Sequence, residues 1–374
     1  MDHFAPHPGA QFEGYYSKFD LPSGARLALI ITTVPKAKHR PHVVSFTYVP
    51  KGTNEYFQRE ISVDSVQMVK TSDDKAFELR ADGMGSVAVG ADSVTTYSIK
   101  HADFSFSART TTRQPWSTTA ETPESALVHL PLPLHWHVHS LASDCTFELD
   151  IPDCAFLANE DRSGIATVHQ EKNWANSFPS AHIWVQARKG IPPSKSSSKN
   201  PSPYQSICIA GGQILGTEAY LLGYRSTTHP SHADRIFELD FRPPYALRLF
   251  SLSPTLSAKP DFANRTFTLS ACSWRQRIDV HASGLPETFF PLSAPFPEGM
   301  KDNALVQSFR AEISVRVYEW RWGSRWWDIR GWWAGQGGGD PDVGHWKLSE
   351  ETVFQDGSLE FGGGYYDFAG EERK

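Results

Sequence analysis

Cysteine is scarce in this chain. Cys145, Cys154, Cys208 and Cys272 are the only four among 374 residues, and they show no CxxC or other paired spacing. A chain of this length does not need disulfide staples, so the four are expected as buried or idle thiols in a reducing compartment. No run approaches 18 apolar residues, which excludes a membrane-spanning helix. The opening Met-Asp-His-Phe-Ala-Pro-His-Pro lacks the basic and apolar regions of a secretory signal, so a soluble, cytoplasmic protein is expected. A dense basic stripe is missing too: 36 Lys and Arg stand against 42 Asp and Glu, a net charge of -6, which argues against a nucleic-acid surface. There is no GxSxG elbow, no P-loop and no HExxH. The glycine runs at 337–339 and 362–364 do not follow GxGxxG, so a dinucleotide site is not expected.

Long helical periodicity is also absent. The 27 glycines and 26 prolines punctuate the chain too often for long helices, and the helices expected are short, for example near Ser349–Phe354. Alternation with period two is what remains. In Ala76–Ala81, Phe77 and Leu79 share one face while Glu78 and Arg80 take the other, and Phe104–Ala108, Phe147–Ile151, Ile278–Ala282 and Ile313–Val317 repeat the pattern. Such alternation marks strands with one buried face. With 40% apolar and 13% aromatic residues the chain can bury a substantial core. The expected fold class is all-β: two lipocalin-like antiparallel β-barrel or sandwich domains with few short helices.

One segment divides the chain. Residues 190–205, Gly-Ile-Pro-Pro-Ser-Lys-Ser-Ser-Ser-Lys-Asn-Pro-Ser-Pro-Tyr-Gln, hold four prolines and little to bury, and read as a linker or mobile loop. The expected organisation is an N-terminal β domain over 1–190, a linker over 191–205 and a C-terminal barrel over 206–374. Residues 320–346 carry seven of the twelve tryptophans, expected as a pocket wall, a lid, or a hairpin packed on its own sheet.

Three groups of residues could carry chemistry. On a strand, His135, His137 and His139 project from one face, with Trp136 and Val138 opposite. Such imidazoles could ligate a metal, but the next carboxylates, Asp144 and Glu148, are wrongly spaced for a cupin-type site. The alternative is a solvent-facing or hydrogen-bonded histidine strip. In Thr167–Trp174, His169 and Glu171 share a face while Val168 and Lys172 point away. In the next strand His182, Trp184 and Gln186 share a face. Together they would form an acid-plus-aromatic pocket, unless Glu171 merely pairs with a cation and Asn173 ties down a turn. Near the start, Glu13 and Tyr15 face one way and Gly14 and Tyr16 the other, with Glu13 read as a buried partner for an Arg or Lys.

The same residues carry a resemblance. Phe12-Glu13-Gly14-Tyr15-Tyr16-Ser17-Lys18 resembles the FEGWYxK opening of the tocopherol cyclase family, and His135-Trp136 its mid-chain HW pair. Glu171-Lys172-Asn173-Trp174, Phe178-Pro179 and Trp184-Val185-Gln186 closely resemble its EKNWGxxFPxxWxWxQ signature. Ile209–Gly212, Arg310–Trp320 and Leu359–Gly364 look like its C-terminal pattern. Three departures stand out: Tyr15 replaces a Trp, Ala175 a Gly, and His182 the first Trp after the Phe-Pro pair. Pocket shape and substrate are therefore expected to differ, and tocopherol is not the expected product.

The resemblance implies paired lipocalin-like barrels related to carotenoid hydratases and to certain Diels–Alderases. Such proteins cyclise or hydrate greasy polyenes without a redox cofactor. The expected function is an intramolecular cyclase, an isomerase acting on a hydrophobic polyene or prenylated precursor, with no cofactor and no metal. Glu171, His169 and Glu13 are the expected catalytic residues. Tyr15, His135, Trp136, Asn173, Trp174, His182, Trp184 and Gln186 are the expected substrate contacts. A cationic route would use a protonated Glu171, with Trp174 and Trp184 facing the cation. A pericyclic [4+2] route would use Tyr15, His135 or Gln186 to polarise a carbonyl. Other function classes are a non-catalytic carrier of a hydrophobic ligand, and a metal-dependent hydratase or oxygenase built on His135, His137 and His139. The one expected partner is a hydrophobic small molecule; oligomeric state is left open.

Overall fold

A computed structural model of the chain describes residues 3–70, 75–190, 203–230, 235–249, 253–320, 342–343 and 345–366. The chain folds into two compact units, residues 1–178 with 291–304, and residues 179–290 with 305–374. Most of the linker segment, at 191–202, and most of the Trp-rich stretch, at 321–341, lie outside the described residues.

The first unit contains β1 (Phe12–Asp20), β2 (Arg26–Thr33), β3 (His42–Val49), β4 (Phe57–Ser62), β5 (Val66–Lys70) and β6 (Phe77–Ala81). It continues with β7 (Gly85–Val89), β8 (Thr95–Lys100), β9 (Ser105–Thr110), β10 (Leu134–Asp150) and β11 (Ser163–Ala175). These eleven strands form one sheet in the order β4-β3-β2-β1-β11-β10-β9-β8-β7-β6-β5. The sheet curls on itself. Phe46 on β3 stacks on Phe104, beside β9, at 4.0 Å, although four strands separate β3 from β9 in the sheet. Phe19 on β1 meets Phe106 on β9 edge-on at 4.9 Å, so one aromatic core fills the curl. The alternating segments at 77–81 and 105–110 are strands, with Phe77, Leu79, Phe106 and Ala108 turned to this core.

The second sheet is built from β12 (Ala181–Lys189), β13 (Gln205–Ile214), β14 (Thr217–Ser226), β15 (Phe237–Phe241), β16 (Leu247–Leu249) and β17 (Leu256–Asp261). There follow β18 (Thr266–Cys272), β19 (Gln276–Ser283), β20 (Phe290–Phe296), β21 (Gly299–Trp320), β22 (Asp342–Val343) and β23 (Trp346–Gly363). Most of β20 and the start of β21, within residues 291–304, are grouped with the first unit. The long path of this sheet is β15-β14-β13-β12-β23-β21-β19-β18-β17. It too curls, since Tyr220 on β14 approaches Phe267 on β18 at 5.8 Å across five intervening strands. The expected all-β class with two lipocalin-like antiparallel barrel or sandwich units is what the chain adopts. Short 3-10 turns lie at Ser125–His129, Asn159–Asp161 and Pro286–Thr288.

The helix expected near Ser349–Phe354 is not formed; those residues belong to β23. Glu350, Thr352 and Phe354 are buried while Glu351, Val353 and Gln355 are exposed, which is strand periodicity. Two of the three inward side chains are polar, and this hides the alternation. Glu350 can sit inside because Ser226, Thr228 and Gln205 all donate hydrogen bonds to its Oε1, at 2.6, 2.6 and 2.9 Å. The four cysteines are buried and form no disulfide. Among the described residues no helix is long and apolar enough to cross a membrane.

The Phe46–Phe104 stack joins distant strands, so its removal tests the curl. Phe46→Ala should lower stability by about 3–5 kcal/mol, read as a lower urea midpoint, because a wholly buried ring is replaced by a cavity. A change below about 1 kcal/mol would show that the curl does not depend on this contact.

Candidate functional site

Three sequence blocks far apart in the chain lie side by side in the first unit. β11 pairs with β1 on one edge and β10 on the other, so Tyr15 stands opposite Lys172 and Glu13 opposite Trp174. On the other edge His135 stands opposite Trp174 and Trp136 opposite Asn173. Pleating sends alternate residues to opposite faces. Glu13, Tyr15 and Ser17 of β1, with Val168, Gln170, Lys172 and Trp174 of β11, turn to the core side, and His135 of β10 stacks on Trp174 there at 4.9 Å.

Lys172 is the centre of this wall and is fully buried. Its ammonium lies 3.1 Å from Glu13 Oε1, 4.9 Å from the Tyr15 ring centroid and 5.3 Å from that of Trp174. It also donates to the Ala5 carbonyl at 2.6 Å and to His7 Nδ1 at 2.8 Å. A buried ammonium needs such compensation, because desolvating an unpaired charge costs several kcal/mol. The buried cation expected beside Glu13 is Lys172. Burial alone would push the Glu13 carboxyl up, but hydrogen bonds from His7 and the Lys172 charge outweigh it and hold the carboxyl below its ordinary range. Glu13 is therefore an ionised acceptor in this arrangement, not the proton donor that an acid role would need.

The N-terminal segment enters the same space. His7 stacks on Trp174 with centroids 4.1 Å apart and planes within 3°, and its backbone N–H donates to Glu13. Phe4 stacks on His139 at 4.2 Å and meets Tyr15 edge-on at 5.6 Å. Burial favours neutral His7, and so does the Lys172 charge, against the opposing pull of Glu13. The Tyr15 hydroxyl is different. It is buried with no hydrogen-bond partner among the described residues, and burial, with the nearby Glu13 charge, pushes its pKa well above the usual phenol range. An unmet buried donor of this kind costs about 1–3 kcal/mol.

Glu171 and His169 lie on the opposite face of β11. As the spacing implies, they share a side: His169 Nε2 and Glu171 Oε2 are 2.9 Å apart, and both residues are buried. The expected pairing of Glu171 with Trp174 around one cation is not what the strand allows. Three residues apart on a pleat, they face opposite ways, with Trp174 beside Lys172. Asn173 shares the Glu171 face and is exposed. Its Oδ1 rests over Gly14, where a methyl group would come within 2.6 Å of it and would make the exposed amide swing aside. Trp136 also faces away from the core and meets Trp116 edge-on at 5.6 Å.

The histidine strip is buried on the core side and not solvent-facing, with His137 and His139 almost fully enclosed. His135 Nδ1 pairs with Glu124 Oε2 at 2.7 Å, and Glu124 Oε1 accepts from the Trp136 backbone N–H at 2.6 Å. The ligand atoms of the three imidazoles do not converge within 4.8 Å of one another. Asp144 and Glu148 are too far along β10 to serve them; the carboxylate that reaches His135 comes from the loop before the strand.

In the second unit, His182, Trp184 and Gln186 share the face of β12 opposite Ile183, Val185 and Ala187, which enter the core. His182 Nε2 is 2.9 Å from Glu360 Oε1, and Gln307 donates to Glu360 Oε2 at 2.9 Å. The His182 ring lies so close to Gly362 that a methyl group there would overlap it at 1.9 Å. That contact explains a glycine of the Leu359–Gly364 block.

Lys172, Glu124, His7 and Gln170 are members of these networks that the sequence does not single out. Lys172 is within reach of sequence reasoning, since it faces Glu13 as soon as β1 is paired with β11. Glu124 and His7 come from irregular segments whose paths no periodicity signals. Gln170 donates to Tyr97 Oη at 2.8 Å and Thr95 Oγ1 at 2.9 Å, a polar patch deeper in the curl. Elsewhere in the first unit, a solvent-open cleft of about 340 Å³ is lined by Ser65, Gln67, Glu78, Arg80, Asp82 and Ser86, with no indole.

No protein-family model and no curated protein matches the chain. Similar solved structures include CghA, at 12% identity and a TM-score of 0.49, covering 95% of this chain and 88% of that one. CghA with Sch210972 is similar at 10% identity and a TM-score of 0.47, covering 94% and 88%. Kievitone hydratase from Nectria haematococca is similar at 11% identity and a TM-score of 0.47, covering 96% and 91%.

The buried pair sets an acid limit on stability. Glu13, with its lowered folded pKa, adds stability that is present above its ordinary value of 4.5 and lost as pH falls further. His7, also lowered, adds stability that is present above its ordinary value of 6.5 and begins to be lost below it. His3 and His42 are lowered by burial too and lose stability in the same range, so urea midpoints should fall in two stages between about pH 7.5 and 3.5, and His7→Phe should reduce the upper stage. Glu13→Gln should cost about 3–5 kcal/mol at about pH 7.5 by removing the counter-charge of the ammonium. A variant as stable as the parent would show that the pair carries no such weight.

Proposed function

We propose that the chain is an intramolecular cyclase, an isomerase that closes a ring in a hydrophobic polyene or prenylated natural-product precursor. One observation carries the reading. The Phe12–Lys18, His135-Trp136 and Glu171–Trp174 blocks, which resemble those of the tocopherol cyclase family, lie on three adjacent strands. Glu13, Tyr15, His135, Lys172 and Trp174 form one inward wall there. A sheet holds such a wall in place by its ladder, and pre-ordering a flexible chain can contribute about 7–11 kcal/mol to ring closure in favourable cases.

The inward wall is suited to carbonyl activation. Tyr15 offers an O–H, and Lys172 an ammonium N–H once the Ala5 carbonyl gives way; such donors stabilise negative charge that grows on oxygen as bonds form. Trp174, which stacks with His135, supplies a flat surface for a conjugated chain where the His7 ring now lies. Glu13, 3.1 Å away, holds the Lys172 ammonium in place. No net redox change is involved: π bonds are exchanged for σ bonds, and substrate and product share one formula. The buried His169–Glu171 pair is the acid candidate of the competing cationic route, and it works from the other face of β11.

The routes separate in heavy water, with prenylated hydroquinones and linear polyenones supplied as substrates and products read by mass spectrometry. The expected result is an isomer of unchanged mass with no deuterium on ring carbon. Tyr15→Phe should lower kcat by about 10²–10³-fold, the usual loss for one such donor. Glu171→Gln should retain activity. Deuterium on ring carbon, with Glu171→Gln inactive and Tyr15→Phe unaffected, would move the chemistry to the Glu171 face. Tight binding of polyenes recovered unchanged would instead identify a carrier.

A further inference from the structure

The segment His3–Pro8 occupies the wall that the proposed function needs, and the way it does so describes a ligand. The Ala5 carbonyl accepts from the Lys172 ammonium at 2.6 Å, and the flat His7 ring lies on Trp174 at 4.1 Å, nearly parallel. The Phe4 ring extends the unsaturated surface across His139 and against Tyr15. One buried donor is left over: the Tyr15 hydroxyl, 6% exposed as a residue and without an acceptor among the described residues. Beside it, Glu13 Oε2 is buried and takes no hydrogen bond from any described residue. The segment thus meets the stacking surface and the ammonium but leaves the phenol unmet.

We propose that this segment is an internal stand-in for the ligand, and that the site takes a planar conjugated carbonyl or enol compound with an apolar unsaturated tail. Its oxygen takes the place of the Ala5 carbonyl on Lys172 and also accepts from Tyr15. Its conjugated plane replaces His7 on Trp174, and its tail follows the path of Phe4 past His139. The inference rests on the proposed function for the location of the site, and adds the head-group chemistry and the displacement of residues 3–8. Displacement is physically accessible because the segment contributes no ladder strand; β1 begins at Phe12. A competitor tethered in the same chain lowers apparent affinity by the fraction of molecules in which the site is open.

Retinoic acid and retinol serve as probes, since they share a polyene and differ in the acceptor oxygens of the head. In equilibrium dialysis the parent should bind retinoic acid weakly, and Phe4→Ala/His7→Ala should bind it about tenfold or more tightly. Adding Lys172→Met to that variant should erase the preference for retinoic acid over retinol. A readout free of substitutions guards against misfolding: retinoic acid should accelerate amide exchange of His7 and Ala10 in the parent protein. Polyene binding with equal affinity in parent and double variant, and unchanged exchange at residues 7 and 10, would overturn the stand-in while leaving the proposed function intact. No binding of either probe by parent or double variant, whose fold is checked by circular dichroism, would overturn both readings.

Discussion

A lysine ammonium buried to zero exposure is the constraint around which the first unit is arranged. Lys172 cannot remain charged there without acceptors, and its acceptors come from distant parts of the chain: Glu13 from the adjacent strand, Ala5 and His7 from the segment before it. Those contacts tie the N-terminal segment to the sheet and hold Glu13 ionised. They also place a cation between the rings of Tyr15 and Trp174, where the π-faces add about 0.5–2 kcal/mol each. An apolar pair at the two positions would cost less to bury. The proposed function takes that buried charge as part of a site and not only of the core.

The face of β11 that carries Lys172 differs in character from the face that carries His169 and Glu171. One side joins an ion pair to aromatic rings and an unmet phenol. The other joins an imidazole to a carboxylate at 2.9 Å. A cyclase acting through the first polarises oxygen; a cyclase acting through the second protonates carbon. Because a pleat alternates strictly, no residue of β11 serves both chemistries, and this separation makes the two routes distinguishable by single substitutions.

Much of the fold is legible in the sequence because apolar alternation survives in Phe77–Ala81, Ser105–Thr110 and Gln276–Ser283, where inward residues are mostly apolar and outward ones mostly polar. It fails at Ser349–Phe354, where Glu350 and Thr352 point inward, with Glu350 Oε1 bonded by Gln205, Ser226 and Thr228 and Thr352 Oγ1 by Gln205. Polar inward residues erase the pattern. The same effect conceals Lys172, which reads as an outward residue until its partner Glu13 is known. The face shared by His169 and Glu171 is readable because i and i+2 follow from strand geometry alone.

The sequence by itself determined the all-β class, the faces along single strands and the blocks that resemble a known family. These depend on local periodicity and on residue identity, which a linear chain displays directly. Tertiary structure alone decided that Lys172 meets Glu13, that Glu124 reaches His135, and that Phe4 and His7 enter the curl against His139 and Trp174. Those contacts depend on pairing between strands far apart in the chain and on the paths of irregular segments. Neither leaves a periodic trace in the chain.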